Sequence, residues 1–497
     1  MEFFLQGFGT ILRGNFLLYM FAGVALGMVL GALPGLTGSL GIALMLPFTY
    51  RMDALTALVF LLSIYTGGLF GGAITAISIN TPGSPANLMT MRDGYPMFKA
   101  GKGGKALGIA LFASVIGGLI GCVFLVFAAE PMANFSLRFG NGEMFMVLFF
   151  GIACVGSLSK NPLKSFFAGM FGILLSTIGC SSSGSIRGTF GSRWLFDGLP
   201  MVGTMIGLLA IPEIVKLSQK KNVASLDGVK LGFKSIFSGF IEVIKRPLQT
   251  ILCSILGVIV GIIPAAGSSV AGVLSYNESK QFCKNRDDFG KGIPEGVVAS
   301  ETANNASEGG ALATMFVLGI PGSSSSAMLL AALALQGWAA GPKMFMDHKD
   351  VIYMAFSSLF LQQIVMLLLG ILLCVCASYI VKVPNKYLAP IILAVAMCGA
   401  FANRNAAFDI GVLCVFGVIG LLMQMDEFPV LPLMLGYLLG GDAERNLVRI
   451  YQEYDSFFEI FKSPITLVLF IVAVFCIVFP IVMNAVSGRK KKTAKGA

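Results

Sequence analysis

Charge and histidine are both scarce in this chain, and each shortage closes off a class of function. Only 12% of the 497 residues are Asp, Glu, Lys or Arg, against roughly 25% in a soluble domain. With 56% hydrophobic residues and a mean hydropathy of +0.84, the chain reads as a polytopic membrane protein. Its longest polar intervals, 216–247 and 277–309, are far below the ~100 residues of a typical domain. A single histidine, His348 between Asp347 and Lys349, leaves no H-E-x-x-H helix and excludes a zinc protease of that type. No G-x-S-x-G elbow exists; Gly267-Ser268-Ser269-Val270-Ala271 comes nearest and ends in alanine. Gly101-Lys102-Gly103-Gly104-Lys105 lacks the spacing and the hydroxyl residue of a phosphate loop, so it reads as a loop before a span. The expectation is therefore no enzyme, no cofactor, no metal beyond a possible sodium ion, and no nucleic-acid partner.

The cysteines repeat this negative result. There are ten, without a C-x-x-C pair or zinc spacing. Most lie inside apolar runs (Cys122, Cys154, Cys253, Cys374, Cys376, Cys414 and Cys476) and read as small packing residues.

What the chain has in abundance is apolar length. A span needs ~20 apolar residues. Candidates are 16–33, 54–79, 105–128, 144–159, 163–180, 199–217, 248–264, 351–381, 387–402, 408–425 and 464–486. Shorter apolar pieces at 35–48, 310–320, 323–340 and 428–441 read as half-helices or re-entrant hairpins, which need protein or water over their broken backbone. The fold class is all-α, with about 11–13 crossings. Lys490, Lys491 and Lys492 follow the last run, so the positive-inside rule puts this end in the cytoplasm. The first apolar segment lacks a small-residue cleavage site and reads as a span, not a signal peptide. Segment 218–247 carries Lys220, Lys221, Lys230, Lys234, Lys245 and Arg246, with Phe233, Ile236, Phe237, Phe240, Ile241 and Ile244 at helical spacing. It reads as a basic amphipathic helix on the cytoplasmic face.

Inside this apolar background two polar, glycine-rich stretches nearly repeat each other. Gly71-Gly72-Ala73 is followed by Asn80-Thr81-Pro82-Gly83-Ser84-Pro85-Ala86. Gly309-Gly310-Ala311 is followed by Gly319-Ile320-Pro321-Gly322-Ser323-Ser324. Each has an upstream partner: Gly31-Ala32-Leu33-Pro34-Gly35, with Gly38 beyond, and Gly261-Ile262-Ile263-Pro264-Ala265-Ala266-Gly267. Paired interruptions of this kind mark a secondary transporter, whose broken helices build the substrate and ion site at the repeat interface. A Pro-Gly pair breaks a helix, and the following half-helix offers N–H groups to an anion. The candidate substrate residues are Asn80, Pro82, Gly83, Ser84, Asn304, Asn305, Pro321, Gly322, Ser323 and Ser324. The candidate ion residues are Pro34, Gly35, Gly38, Pro264, Ala265 and Gly267, through backbone carbonyls. Glu295 reads as the start of a helix, and Arg187, after Ser185, as a loop boundary or a carboxylate anchor. Carboxylates within the spans look scarce, with Glu130 and Glu213 at span ends, which favours Na⁺ over H⁺ as the coupling ion.

At these motifs the sequence resembles the large membrane subunit of the tripartite tricarboxylate transporters. The matching pieces are Gly31-Ala32-Leu33-Pro34-Gly35-Leu36, Tyr65-Thr66-Gly67-Gly68 with Gly71 to Ala76, and Pro82 to Ala86. Further on come Asp93-Gly94-Tyr95-Pro96, Phe289-Gly290-Lys291-Gly292 with Glu295-Gly296-Val297, Glu301 with Asn304-Asn305-Ala306, and Leu318 to Ser323. The chain departs from the family's pattern at Ala265, where glycine is usual, and at Ser300, where proline is usual. The resemblance implies a bacterial inner-membrane system of three parts: this subunit, a small four-span membrane subunit and a periplasmic solute-binding protein. It also implies drive by a Na⁺ or H⁺ gradient. The expected substrate is a small carboxylate: a tricarboxylate such as citrate, or a related di- or monocarboxylate. The expected organisation is a first repeat half at 1–217, the basic linker at 218–247, a second half of inverted topology at 248–487 and a basic cytoplasmic tail at 488–497. Movement is expected to be elevator-like. The alternative is a self-sufficient carrier or channel for organic anions that uses no binding protein.

Overall fold

Without water, a backbone must satisfy its N–H and C=O groups inside its own segment, and helices do this. All eleven apolar candidates are helical in the computed structural model, which describes residues 2–33, 36–157, 161–181, 184–219, 232–264, 266–338, 340–380 and 385–493. The first series is α1 (Glu2–Ile11), α2 (Phe16–Gly31), α3 (Gly38–Thr49) and α4 (Ala54–Ile79). A 3₁₀ turn (Pro85–Asn87) leads into α5 (Leu88–Met97) and α6 (Gly103–Ser136). Next come α7 (Asn141–Ser157), α8 (Pro162–Ser176), a hairpin of β1 (Gly179–Cys180) with β2 (Ile186–Arg187), and α9 (Met201–Gln219). The second series is α10 (Phe233–Ile244), α11 (Pro247–Ile262), α12 (Gly267–Phe282), α13 (Pro294–Leu318), α14 (Ser324–Leu335) and α15 (Pro342–Asp347). It continues through α16 (Lys349–Ile380), α17 (Asn385–Arg404), α18 (Ala407–Met425), α19 (Val430–Glu453) and α20 (Pro464–Thr493).

The element order recurs between the two series. Each opens with a short helix bent sharply from the next, by 84° between α1 and α2 and by 81° between α10 and α11. Each then gives a break, a short helix, a long helix, a second break and another short helix. Among the described residues, four helices are by themselves long and apolar enough to cross a membrane, or six if each bent pair is one span. This is fewer than the 11–13 crossings expected, because several apolar helices run for only 10–17 residues.

Contacts divide the chain into two units. One is Met1–Ala133 with Ala210–Ala406, and the other is Asn134–Leu209 with Ala407–Ala497. Each unit draws on both series, so this division cuts across the halves read from the sequence. In the first unit α4 and α13 are the central helices. Every residue from Thr56 to Ser78 is buried, and so is every residue from Gly296 to Val317. α4 is enclosed on all sides, which matches its all-round apolar composition. Glycine lets the neighbours approach at backbone distance. A β-carbon at Gly27 on α2 would lie 2.2 Å from the Ile64 carbonyl oxygen, and one at Gly261 on α11 would lie 2.2 Å from that of Ser307.

α10 matches the amphipathic segment in its described part; Lys220, Lys221 and Lys230 lie outside the described residues. Ile236, Gly239 and Val243 are buried, while Phe233, Phe237, Ile241 and Ile244 form an exposed apolar stripe. That is the build of a helix lying on a membrane surface. Its Glu242 accepts from Lys105 Nζ at 2.8 Å and pairs with Arg246, which also reaches Glu295 at 2.9 Å. The hydrogen bond from Lys105 holds the Glu242 carboxyl well below its ordinary range, at about 2.

In the second unit α8 packs on α19 through glycines. A β-carbon at Gly172 would meet the Leu433 carbonyl oxygen at 2.1 Å. The apolar piece 428–441 is therefore not a half-helix. α19 continues to Glu453, because its polar C-terminal half makes its own helical pairs, with Asn446 Nδ2 donating to the Asp442 carbonyl at 2.8 Å. Arg187 pairs with Glu444 at 2.6 Å on the hairpin, which is the loop-boundary role.

Candidate functional site

Both Pro-Gly-Ser motifs fold alike. α4 ends on Asn80 in the left-handed conformation, φ 56°, and α13 ends on Gly319, φ 71°. After each reversal the chain runs through Pro-Gly to a serine at the N-cap position of the next turn: Ser84 before the 3₁₀ turn, Ser323 before α14. Ser323 forms a full capping box, its Oγ accepting from Ser326 N at 3.2 Å and its N donating to Ser326 Oγ at 2.8 Å. The glycines sit against helix ends. A β-carbon at Gly83 would meet the Gly31 carbonyl oxygen at 2.4 Å, and one at Gly322 would meet that of Gly261 at 2.5 Å. Glycine is required there for backbone packing between two breaks of one half. Gly83 N also donates to the Gly72 carbonyl at 3.3 Å.

The two halves then cross. α3, which follows the first break of the first half, packs on α14, which follows the second break of the second half. Reciprocally, α12 packs on the 3₁₀ turn and α5. The crossing brings several predicted residues together. Ser323 Oγ lies 3.2 Å from Tyr65 Oη, a β-carbon at Gly267 would touch Ser323, and one at Gly38 would lie 3.8 Å from the Tyr65 carbonyl oxygen. Gly267 is itself left-handed, φ 50°, and Pro264 is buried beside it. Asn80 is exposed and serves α4 as its terminus. Pro34, Gly35 and Ala265 lie outside the described residues.

The largest departure from the sequence reading lies on α13. The interval 277–309 is exposed over most of 277–292 but buried from Gly296 on, and 310–320 is not a separate half-helix; α13 runs unbroken from Pro294 to Leu318. Its polar residues are the buried core of the site. Glu301 is fully buried and accepts from Asn87 Nδ2 at 3.0 Å, Thr90 Oγ1 at 2.5 Å and Ser114 Oγ at 3.1 Å. Ser84 Oγ donates to Asn87 Oδ1 at 2.8 Å, so the first motif is tied directly to Glu301. Asn305 Nδ2 donates to the Glu301 carbonyl at 3.0 Å. Two turns on, Glu308 is 2% exposed and meets Thr66 Oγ1 at 3.1 Å. The premise that carboxylates are scarce within the spans is thus overturned: Glu301, Glu308 and Asp93 are all buried. The composition hid them because a polar run next to a loop looks like loop.

Several buried polar atoms here make no hydrogen bond: Thr302 Oγ1, both amide atoms of Asn304, Asn305 Oδ1, Glu308 Oε2 and both amide atoms of Gln363. Buried polar groups are ordinarily satisfied, so a cluster of orphans on one central helix marks a place where a ligand, an ion or a proton completes the bonding. Asn304 and Asn305, named from sequence, belong to it. Glu301, Glu308, Thr66, Gln362 and Gln363 were missed. The signal was available: residues 301, 304, 305 and 308 share one helix face, and Gln362-Gln363 interrupts an apolar run.

Asp93 holds the frame of this site. Its Oδ1 accepts from the backbone N–H of Gly290 at 2.9 Å, Gly292 at 2.9 Å and Ile293 at 3.1 Å, and its Oδ2 from Tyr276 Oη at 2.7 Å. Gly290 and Gly292 have φ of 90° and 100°, where side chains are strained. The Asp93 motif and the Phe289-Gly290-Lys291-Gly292 motif are therefore two sides of one clasp.

Comparisons with known proteins identify the family. A protein of Agrobacterium vitis, described as an uncharacterized 52.8 kDa protein in the TAR-I ttuC' 3' region, is 31% identical over 493 residues, covering 98% of this chain and 97% of that one. Another from the same organism, described as an uncharacterized protein in the TAR-II ttuC' 3' region, is 29% identical over 193 residues, 39% of this chain and 80% of that one. No solved structure matches. The model of the Tripartite tricarboxylate transporter TctA family matches residues 17–435, and the chain belongs to that family, the large membrane subunit of these transporters.

Proposed function

We propose that this subunit imports a small carboxylate across the bacterial inner membrane, driven by a Na⁺ or H⁺ gradient and supplied by a periplasmic binding protein. The observation that carries this reading is the crossed packing of two helix breaks around the buried polar face of α13. Every described candidate residue belongs to the unit Met1–Ala133 with Ala210–Ala406, which suits an elevator-like carrier moving as one body. The amides of the first turn of α14, beyond Ser323, have no intrahelical partner and favour an anion by about 0.3–1 kcal/mol, up to ~2 when partly buried. Ser84, Ser323, Ser324, Asn304 and Asn305 supply neutral donors beside them, with Asn80, Pro82, Gly83, Pro321 and Gly322 shaping the backbone. Pro34, Gly35, Gly38, Pro264, Ala265 and Gly267 would place carbonyls for a cation. The two halves run in opposite senses through the membrane in this reading.

A binding protein must release its ligand on docking, so its affinity has to fall at the membrane. The test is uptake into proteoliposomes holding this subunit and its small membrane partner, under an imposed Na⁺ or H⁺ gradient. Uptake should require added binding protein. Saturable uptake at full rate without it would favour the self-sufficient carrier instead.

A further inference from the structure

Thr66 has one hydroxyl hydrogen but two acceptors. Its Oγ1 lies 3.1 Å from Glu308 Oε1 and 3.0 Å from Gln362 Oε1. The Gln362 amide cannot be turned over to relieve this. Its Nε2 faces the Val59 carbonyl at 3.4 Å and Ser358 Oγ at 3.0 Å, and the Ser358 hydrogen is already donated to the Ala355 carbonyl at 2.6 Å. The Val59 carbonyl can only accept and the Ser358 hydrogen is committed to Ala355, so the amide oxygen faces Thr66. One hydrogen is then missing from the chain Glu308–Thr66–Gln362. A carboxylic acid supplies it: Glu308 donates to Thr66, and Thr66 donates to Gln362.

The surroundings agree. None of the ion pairs among the described residues includes Glu308. The titratable groups facing it are the Tyr65 hydroxyl from α4 and the Cys122 thiol from α6. α11 packs beside it with Val258, Gly261 and Ile262, and α16 presents Gln362. Its own helix carries Glu301 two turns away. Its Oε2 is buried without a partner. A lone carboxylate there would be a buried, unpaired charge, which is strongly disfavoured. Glu301 is the opposite case, with Asn87, Thr90 and Ser114 all donating to it, as suits a carboxylate. Two glutamates on one helix face thus have different hydrogen-bond surroundings.

We infer that Glu308, with Thr66 and Gln362, is the proton-carrying site of this transporter, which makes H⁺ the coupling ion. This rests on the functional reading above. The bound state is the acid, and release gives the carboxylate and one H⁺ once movement exposes the group to water.

Infrared difference spectra of the purified protein in lipid, between neutral and alkaline pH, read the carbonyl band of a buried carboxylic acid. The wild type should show that band, E308Q should lose it and E301Q should keep it. No band in the wild type, or a band surviving in E308Q, overturns the inference. Should E308Q fail to insert, T66V serves: it should shift the band, and an unshifted band overturns the inference. In proteoliposomes of the complete system, E308Q should lose accumulation driven by a pH gradient. Unchanged pH-driven accumulation would also overturn it. If the wild type moves no carboxylate at all, the transport reading fails, while the infrared band still decides the protonation of Glu308.

Discussion

A single carboxylate, Asp93, joins a helix of the first series to the loop that starts α13. It carries four hydrogen bonds, three from backbone N–H groups. Removing the carboxylate strands these donors, whereas asparagine keeps an acceptor toward the loop and a donor toward Tyr276. We expect D93A to cost about 3 kcal/mol, and D93N and Y276F about 1 kcal/mol each. Thermal unfolding in detergent gives the order; D93N as damaging as D93A would mean that charge, not hydrogen-bond count, holds the clasp. Sequence offered Asp93 only as part of a family motif. Its four partners lie about 183 to 200 positions away, so no local pattern could reveal them.

The break glycines show how a motif is legible while its reason is not. Gly83 and Gly322 lie against the ends of α2 and α11, where a β-carbon would be 2.4 Å and 2.5 Å from a carbonyl oxygen. G83A and G322A should therefore lower thermal stability, each by about 1–3 kcal/mol as for overpacking, before any effect on transport is read. Gly411 on α18 has open space around it, so G411A should be neutral or raise stability by up to ~1 kcal/mol. If G83A and G322A unfold like the wild type, the close packing of the two tips is wrong. Helix positions themselves were readable, because long apolar runs have one outcome in a bilayer. α13 was not, because its polar face is buried by other helices and only their arrangement tells it from a loop.

For the whole molecule, orientation follows from lysine. Lys234 on α10 and the tail at Lys490 should both face the cytoplasm. Single cysteines placed there in a cysteine-free background should escape an impermeant thiol reagent applied to the periplasmic side. Labelling of either would overturn this orientation and the inverted relation of the halves with it.

The sequence alone determined the class of the protein. Scarce charge and long apolar runs impose a helical membrane fold, and two copies of a Pro-Gly break impose a repeated one, because backbone satisfaction in lipid leaves no other solution. It also carried the motifs that the family shares. Tertiary structure alone decided which polar residues form the site. Glu301 and Glu308 on α13, Thr66 on α4, Asn87 in the 3₁₀ turn and Gln362 on α16 come from four elements far apart in sequence. Hydrogen-bond accounting needs donors and acceptors at known distances. The packing of α13 and α16 on α4, and of α13 on the 3₁₀ turn and α5, sets those distances.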